Sequence, residues 1–293
     1  MNKSILIAIA ILLGIFFPQF YVFTFLIRYS LIVMLLLTFT GISIKFKDIK
    51  PSHLLSVILV IVASLFHYWW IGLWFPKYAM LGFVLGSAPT AAAAAVVSNM
   101  MKLNTPYVTI ATIVSNVVMV IFIPLVLPFL IQQKLSVSPI LIVLQIFITL
   151  GIPFILGQLI THYSPSLTKQ INSAKPFSFV LFIANMFIAS ANASQYIRTH
   201  DTINSKDIFI IACLTLVIGL LNFKMGEWTA PKAFKYECGL ATGRKNTMFA
   251  LWISLTYINP ITALSPVCYL IFHNIYNAVQ LWILDRKRKS LPK

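Results

Sequence analysis

The chain has 293 residues, of which 59% are hydrophobic and 10% charged, with a mean hydropathy of +0.91. Soluble domains carry about 25% charged residues, so a soluble catalytic or regulatory domain is excluded and an integral membrane protein is indicated. The net charge of +16 is read by the positive-inside rule, not as a nucleic-acid footprint.

A membrane-crossing helix needs about 20 mainly apolar residues, and ten such stretches follow one another. The first, Ser4 to Phe20, is marginal in length. No small-x-small cleavage site follows it, so it reads as a span and not a signal peptide. Then come Phe23 to Ile44, Leu54 to Phe75 and Ala79 to Met100. The last of these holds Gly86-Ser87-Ala88-Pro89-Thr90, where Pro89 lacks a backbone donor and clashes with the preceding turn. Pro106 to Ile131, Pro139 to Ile160 and Phe177 to Ile197 follow. Asn185 and Asn192, seven apart on the seventh span, read as packing residues, with lining of the pathway as the alternative. The eighth span, Ile208 to Phe223, is short. The ninth, Phe234 to Tyr257, contains Gly239-Leu240-Ala241-Thr242-Gly243-Arg244-Lys245-Asn246, two glycines and two cations in an apolar setting. The tenth is Pro260 to Leu284, and the basic run Arg286 to Lys293 after it reads as a contact with anionic lipid. Long, non-alternating apolar stretches mean helices, not a barrel. Cys213, Cys238 and Cys268 lie in apolar segments without metal-ligand spacing.

With the N-terminus inside, Lys3, Lys45, Lys47, Lys50, Lys102, Lys169, Lys175, Lys224, Lys232, Lys235 and the C-terminal basic run share one side. Only Lys77, Lys134, Arg198 and Lys206 fall opposite, which places both termini in the cytoplasm. Arg28, near the outer end of the second span, can snorkel. Arg244 and Lys245 have no such exit, and charge inside hydrocarbon usually faces a cavity or pathway. Ten spans divide into five and five, roughly residues 1–133 and 134–293 of one transmembrane domain, and an odd number per half inverts the second half. The fourth span of each half is interrupted, at Pro89 and at Gly239 and Gly243. Inverted repeats with discontinuous helices near mid-membrane are a common plan of secondary transporters.

Thr40-Gly41-Ile42, the break at Gly86 to Thr90, Asn104, Gly243-x-x-Asn246 and His273-Asn274 together resemble the bile acid:sodium symporter family of ten-helix secondary transporters. The resemblance implies an all-α membrane protein with panel and core domains, in which the broken fourth and ninth helices cross beside the substrate site. In sodium-coupled members, one ion site uses a Ser-Asn pair after the first break, hydroxyls of the fifth helix and a glutamate of the ninth. Those positions fall here on Ala94-Ala95, on Val108 and Thr112, and on Ala241. The ninth-helix pattern Glu-x-Gly-x-Gln-Asn becomes Ala241-x-Gly243-x-Lys245-Asn246. The third-helix glutamine of the other site has no counterpart within Leu54 to Phe75. The chain is thus expected to lack the usual sodium ligands, with the Lys245 ammonium standing in for one ion. An alternative register takes Glu237-Cys238-Gly239 as Glu-x-Gly and restores the acid at the cost of an insertion.

The function expected is secondary transport of a small organic anion by alternating access, independent of sodium, in a bacterial inner membrane. Arg244, Lys245 and helix N-termini favour a carboxylate or sulfonate, and Asn246 orients it by hydrogen bonding. Thr90, Thr112, Ser115 and Asn116 line the facing wall or bond helix to helix. His273 and Asn274 match the family pattern and are counted with the substrate site, as polar contacts and not as proton-transfer groups. Glu237 either pairs with Lys245 during transport or is solvated beside Lys235. Sodium coupling, proton coupling through the lysine, and a non-transporting receptor remain alternatives. Paired acids, a His-Glu-x-x-His pattern and a serine nucleophile setting are absent from the sequence, so enzymatic activity is not expected. No cofactor or metal is expected. The partners are the anion and the lipid bilayer, without nucleic acid, and the substrate's identity and the oligomeric state stay open.

Overall fold

The computed structural model describes residues 3–41, 48–131, 139–199 and 205–289. Residues 42–47 (with Ile42, Lys45 and Lys47), the boundary expected at 133/134, Lys134 and residues 290–293 lie outside them. The described chain is helical, as apolar sequence in lipid demands, because a helix satisfies its backbone bonds within one segment. The helices are α1 (Lys3–Phe16), α2 (Leu26–Phe39), α3 (Pro51–Trp74), α4 (Ala79–Ser87), α5 (Ala93–Met100), α6 (Thr105–Leu130) and α7 (Pro139–Ile146). They continue with α8 (Ile152–Tyr163), α9 (Pro165–Ala174), α10 (Phe177–Thr199), α11 (Ser205–Thr229), α12 (Lys235–Gly243), α13 (Thr247–Ile253) and α14 (Leu264–Lys289). A π-helical turn, Phe147–Gly151, joins α7 to α8, and another, Ser254–Ile258, extends α13.

Among the described residues, six helices are long and apolar enough to cross a membrane: Pro51–Trp74, Thr105–Leu130, Ile140–Tyr163, Phe177–Thr199, Ser205–Thr229 and Leu264–Arg288. The other four stretches expected as spans fall on α1, α2 and the interrupted pairs α4–α5 and α12–α13, which are shorter helices. The eighth span is not short. α11 runs to Thr229, because Lys224 and Glu227, three residues apart, pair at 2.9 Å and carry the helix past the apolar stretch. Bulky apolar side chains such as Trp69, Leu73 and Phe129 stay exposed, as lipid-facing positions should.

The chain divides into two compact units. The first comprises Met1–Lys45, Val117–Phe209 and Met248–Leu264. In it α1 lies close against α10, where a Cβ on Gly14 would come within 2.3 Å of the Phe187 carbonyl oxygen. Arg28 does not simply snorkel. Its Nε donates to Thr149 Oγ1 at 3.1 Å in the π-helical turn, and its guanidinium lies 6.0 Å from the Trp252 ring centre. Asn192 donates to Thr24 Oγ1 at 2.7 Å, while Asn185 is fully buried and neither amide atom is hydrogen-bonded among the described residues.

The second unit comprises Phe46–Asn116, Ile210–Thr247 and Ser265–Lys293. α3 and α4 form a tight hairpin, and a Cβ on Gly86 would sit 2.4 Å from Ser64 Cα. Asn104 caps α6, its Oδ1 accepting the Tyr107 N–H at 3.0 Å. The Trp70 indole donates to His67 Nδ1, so Nε2 carries the ring proton and meets Asn222 Oδ1 at 3.2 Å. Asn222 donates on to the Tyr269 hydroxyl, tying α3, α11 and α14 together.

Candidate functional site

The site lies within the second unit, where two helix breaks meet. α4 ends at Ser87 and α5 begins at Ala93; α12 ends at Gly243 and α13 begins at Thr247. Pro89 falls inside the first break. Gly239 does not break a helix. It sits within α12 as a close-approach position, where a Cβ would come 2.8 Å from Glu227 Cγ. Gly243 closes α12 against the Phe223 ring, and the helix stops at the next residue.

The two interruptions join as a short antiparallel bridge centred on Thr90 and Lys245. The Ala91 N–H donates to the Arg244 carbonyl at 2.8 Å, and the Asn246 N–H to the Pro89 carbonyl at 2.7 Å. Each break frees a carbonyl from its helix, and the residue at the centre of the other break caps it. In α4 the Gly86 carbonyl would normally accept from the N–H of Thr90, four residues on. That N–H donates instead to Ser115 Oγ at 3.1 Å, and the Lys245 ammonium takes Gly86 O at 2.7 Å. In α12 the Ala241 carbonyl would accept from the Lys245 N–H. That N–H turns to Gly243 O at 3.1 Å, and the Thr90 hydroxyl takes Ala241 O at 2.6 Å. Ammonium at a helix C-terminus also meets the negative end of the helix dipole.

The expected wall residues hold this crossing together. Asn116 Nδ2 donates to the Thr90 and Thr112 carbonyls at 3.0 and 2.7 Å, and Thr112 Oγ1 donates to Val108 O within its own helix. Tyr269 Oη donates to Gly243 O at 2.7 Å. Lys245 is 1% exposed and Arg244 8%. The Arg244 Nη atoms donate to Asn277 Oδ1 and, at 3.2 Å, to Asn274 Oδ1. Its Nε and both ring nitrogens of buried His273 have no hydrogen-bond partner among the described residues.

Glu237 is not solvated beside Lys235. It is buried in the first turn of α12 and accepts the Asn104 N–H at 3.0 Å. No ion pair joins it to Lys245 among the described residues: α12 ends before position 245, so the helical face that would align them is cut short. Glu227, Asn277 and Gln280 went unnoticed in sequence. Glu227 is buried and accepts from Lys224, Tyr276 and Gln280. Polar residues at 274, 277 and 280, three apart in an apolar span, trace one helix face and were the available signal.

The model of the Sodium Bile acid symporter family matches residues 57–200, about half of the chain and inclusive of the first break. The chain belongs to that family. It is accordingly a multi-pass membrane protein and a secondary transporter of the bile acid:sodium symporter type. No curated protein matched it in a direct comparison.

A family with sodium in its name invites a test of the residues for that ion. A hard cation takes several oxygen ligands. Of the positions that the resemblance implies as ligands, Ala94, Ala95, Val108 and Ala241 carry no side-chain oxygen. Ala94 and Val108 pack in a hydrophobic cluster with Met101, Tyr107, Phe223, Cys238 and Leu240. Ala241 offers only its carbonyl, which already accepts from the Thr90 hydroxyl, and Thr112, whose hydroxyl donates to Val108 O, supplies the single side-chain oxygen of the set. These side chains do not fit a sodium ion.

Proposed function

We propose that this protein carries a small organic anion across the membrane by alternating access without sodium, and that the Lys245 ammonium does the work of a coupling ion at the crossing. One observation carries the reading: a wholly buried ammonium binds a helix-terminal carbonyl at the break, while Ala94, Val108 and Ala241, at implied ion-ligand positions, offer no side-chain oxygen. A fixed charge there would repel a second cation by several kcal/mol at an intermediate effective dielectric. Arg244 adds a second cation with a buried donor left unpaired, and such a donor invites an acceptor from a ligand. A carboxylate or sulfonate satisfies both charge and hydrogen bonding. Asn246, next to these cations in sequence, and Asn274, which accepts from Arg244, orient the anion together with the adjacent His273, whereas Thr90, Thr112, Ser115 and Asn116 support the crossing. We also place both termini in the cytoplasm of a bacterial inner membrane and take residues 1–133 and 134–293 as the inverted halves.

The test is uptake into proteoliposomes after a thermal-shift screen of organic anions has supplied a substrate, since ligands of the folded state raise its stability. Uptake is expected to be the same in sodium, potassium and choline media. A clear sodium requirement removes the proposed role of Lys245; binding without flux makes the protein a receptor.

A further inference from the structure

Arg244 and Glu227 are joined by an unbroken line of buried side-chain hydrogen bonds that the proposed function leaves unused. An Arg244 Nη donates to Asn277 Oδ1; Asn277 Nδ2 donates to Gln280 Oε1 at 3.0 Å; Gln280 Nε2 donates to Glu227 Oε1 at 2.7 Å. A guanidinium has no acceptor and a carboxylate no donor. Each amide must therefore turn its oxygen toward Arg244 and its nitrogen toward Glu227, so the two dipoles align head to tail. Aligned hydrogen bonds in a low-dielectric interior strengthen one another. Arg244, Asn277, Gln280 and Glu227 are all buried, which keeps water from screening the line. Glu227 is fixed at its far side by Lys224 Nζ on Oε2 and by the Tyr276 hydroxyl on Oε1, at 2.9 and 2.8 Å. No carboxylate pairs directly with Arg244 among the described residues. An unbalanced guanidinium at this depth is costly.

We propose that Glu227 is the counter-ion of Arg244, acting through Asn277 and Gln280 as a positioning residue. It fixes the direction of the guanidinium at the helix break and sets how much of its charge remains for a bound anion. The binding consequence rests on the function proposed above; the coupling between the two charges does not.

The experiment is a double-mutant cycle on the purified full-length chain, read by thermal melting in detergent. Glu227→Gln keeps an acceptor for Gln280 and removes only charge. Arg244→Gln and Glu227→Gln are each expected to lower the midpoint, and the double variant to lie no lower than the worse single. In a Gln280→Leu background the same two substitutions should become additive. Additivity in the wild-type background overturns the proposal, as does coupling that survives Gln280→Leu. If Arg244→Gln fails to fold, Asn277→Leu severs the same line from the other end, and its additivity with Glu227→Gln overturns the proposal equally. A second arm titrates benzoate and benzenesulfonate. Freed from its counter-ion, Arg244 should hold them about tenfold more tightly in Glu227→Gln, the size expected for unit charges roughly 12 Å apart at an effective dielectric near 20. Unchanged affinity with binding intact overturns the counter-ion role. Absence of binding by every variant removes the anion reading instead, and the melting cycle still decides the coupling.

Discussion

Replacing Lys245 by methionine keeps most of the length and apolar volume of the stem while deleting the ammonium. Two opposing terms decide its effect on stability. The Gly86 carbonyl loses a charge-assisted hydrogen bond of 2.7 Å in a site that water does not reach, a loss of about 1.5–3 kcal/mol. Against that, a lysine near the centre of a membrane helix costs about 2.5–3.5 kcal/mol to place there. The difference leaves Lys245→Met between about 0.5 kcal/mol less stable and about 2 kcal/mol more stable than the parent. Thr90→Val is the control: it orphans the Ala241 carbonyl without touching a charge, so it should lose about 1–3 kcal/mol. In a chain of this size each kcal/mol moves a melting midpoint by about 2–4 °C. Thr90→Val should thus melt several degrees below the parent and Lys245→Met close to or above it. Transport should show the reverse severity. An ammonium roughly 6 Å from a bound anion at an effective dielectric near 20 contributes about 3 kcal/mol, or about 100-fold in affinity. Melting in detergent and uptake into proteoliposomes give the two readings. A Lys245→Met variant that melts below Thr90→Val, or transports like the parent, would refute the argument that this charge is kept for function at the expense of stability.

Gly86→Ala should destabilise by at least 1–3 kcal/mol, roughly the cost of overpacking, because its Cβ meets Ser64 backbone at 2.4 Å. Gly72→Ala, whose nearest neighbour is the Ala79 Cβ at 3.7 Å, should be near neutral; equal melting points for the two would contradict the close approach of α3 and α4. Asn185→Leu should raise the melting midpoint by several degrees, since removing a fully buried amide with no partner recovers about 1–3 kcal/mol; a drop would mean the amide has a ligand. Ser115→Ala unpairs the Thr90 N–H and should cost about 1–3 kcal/mol, with the deficit vanishing in a melting cycle against a variant that already opens the break.

Much of this architecture was legible because membrane physics writes it in composition. Apolar length located the long helices, and Pro89 marked one interruption because a missing backbone donor acts locally. Arg244 and Lys245 stood out because charge in an apolar stretch demands an explanation. The glycines were less legible. Gly239 and Gly243 look alike in sequence, yet one is needed where Glu227 approaches and the other where Phe223 does, and neither neighbour is near in sequence. An apolar window ends α11 at its first charge, whereas Lys224 and Glu227 pair at three-residue spacing and the helix runs on past them. Which carbonyl Lys245 would bind was invisible, since it depends on where another helix loses its own hydrogen bond.

The reciprocal capping of the two interruptions has a mechanical consequence. Two main-chain bonds and two side-chain bonds cross the same small gap, and pulling the strands apart would strand their four donors and four acceptors at once in a dry interior. Any working stroke of this carrier therefore has to ferry the knot intact, with the give located elsewhere along the chain. Amide protons of Ala91 and Asn246 should be among the last to exchange for deuterium, even while the protein turns over.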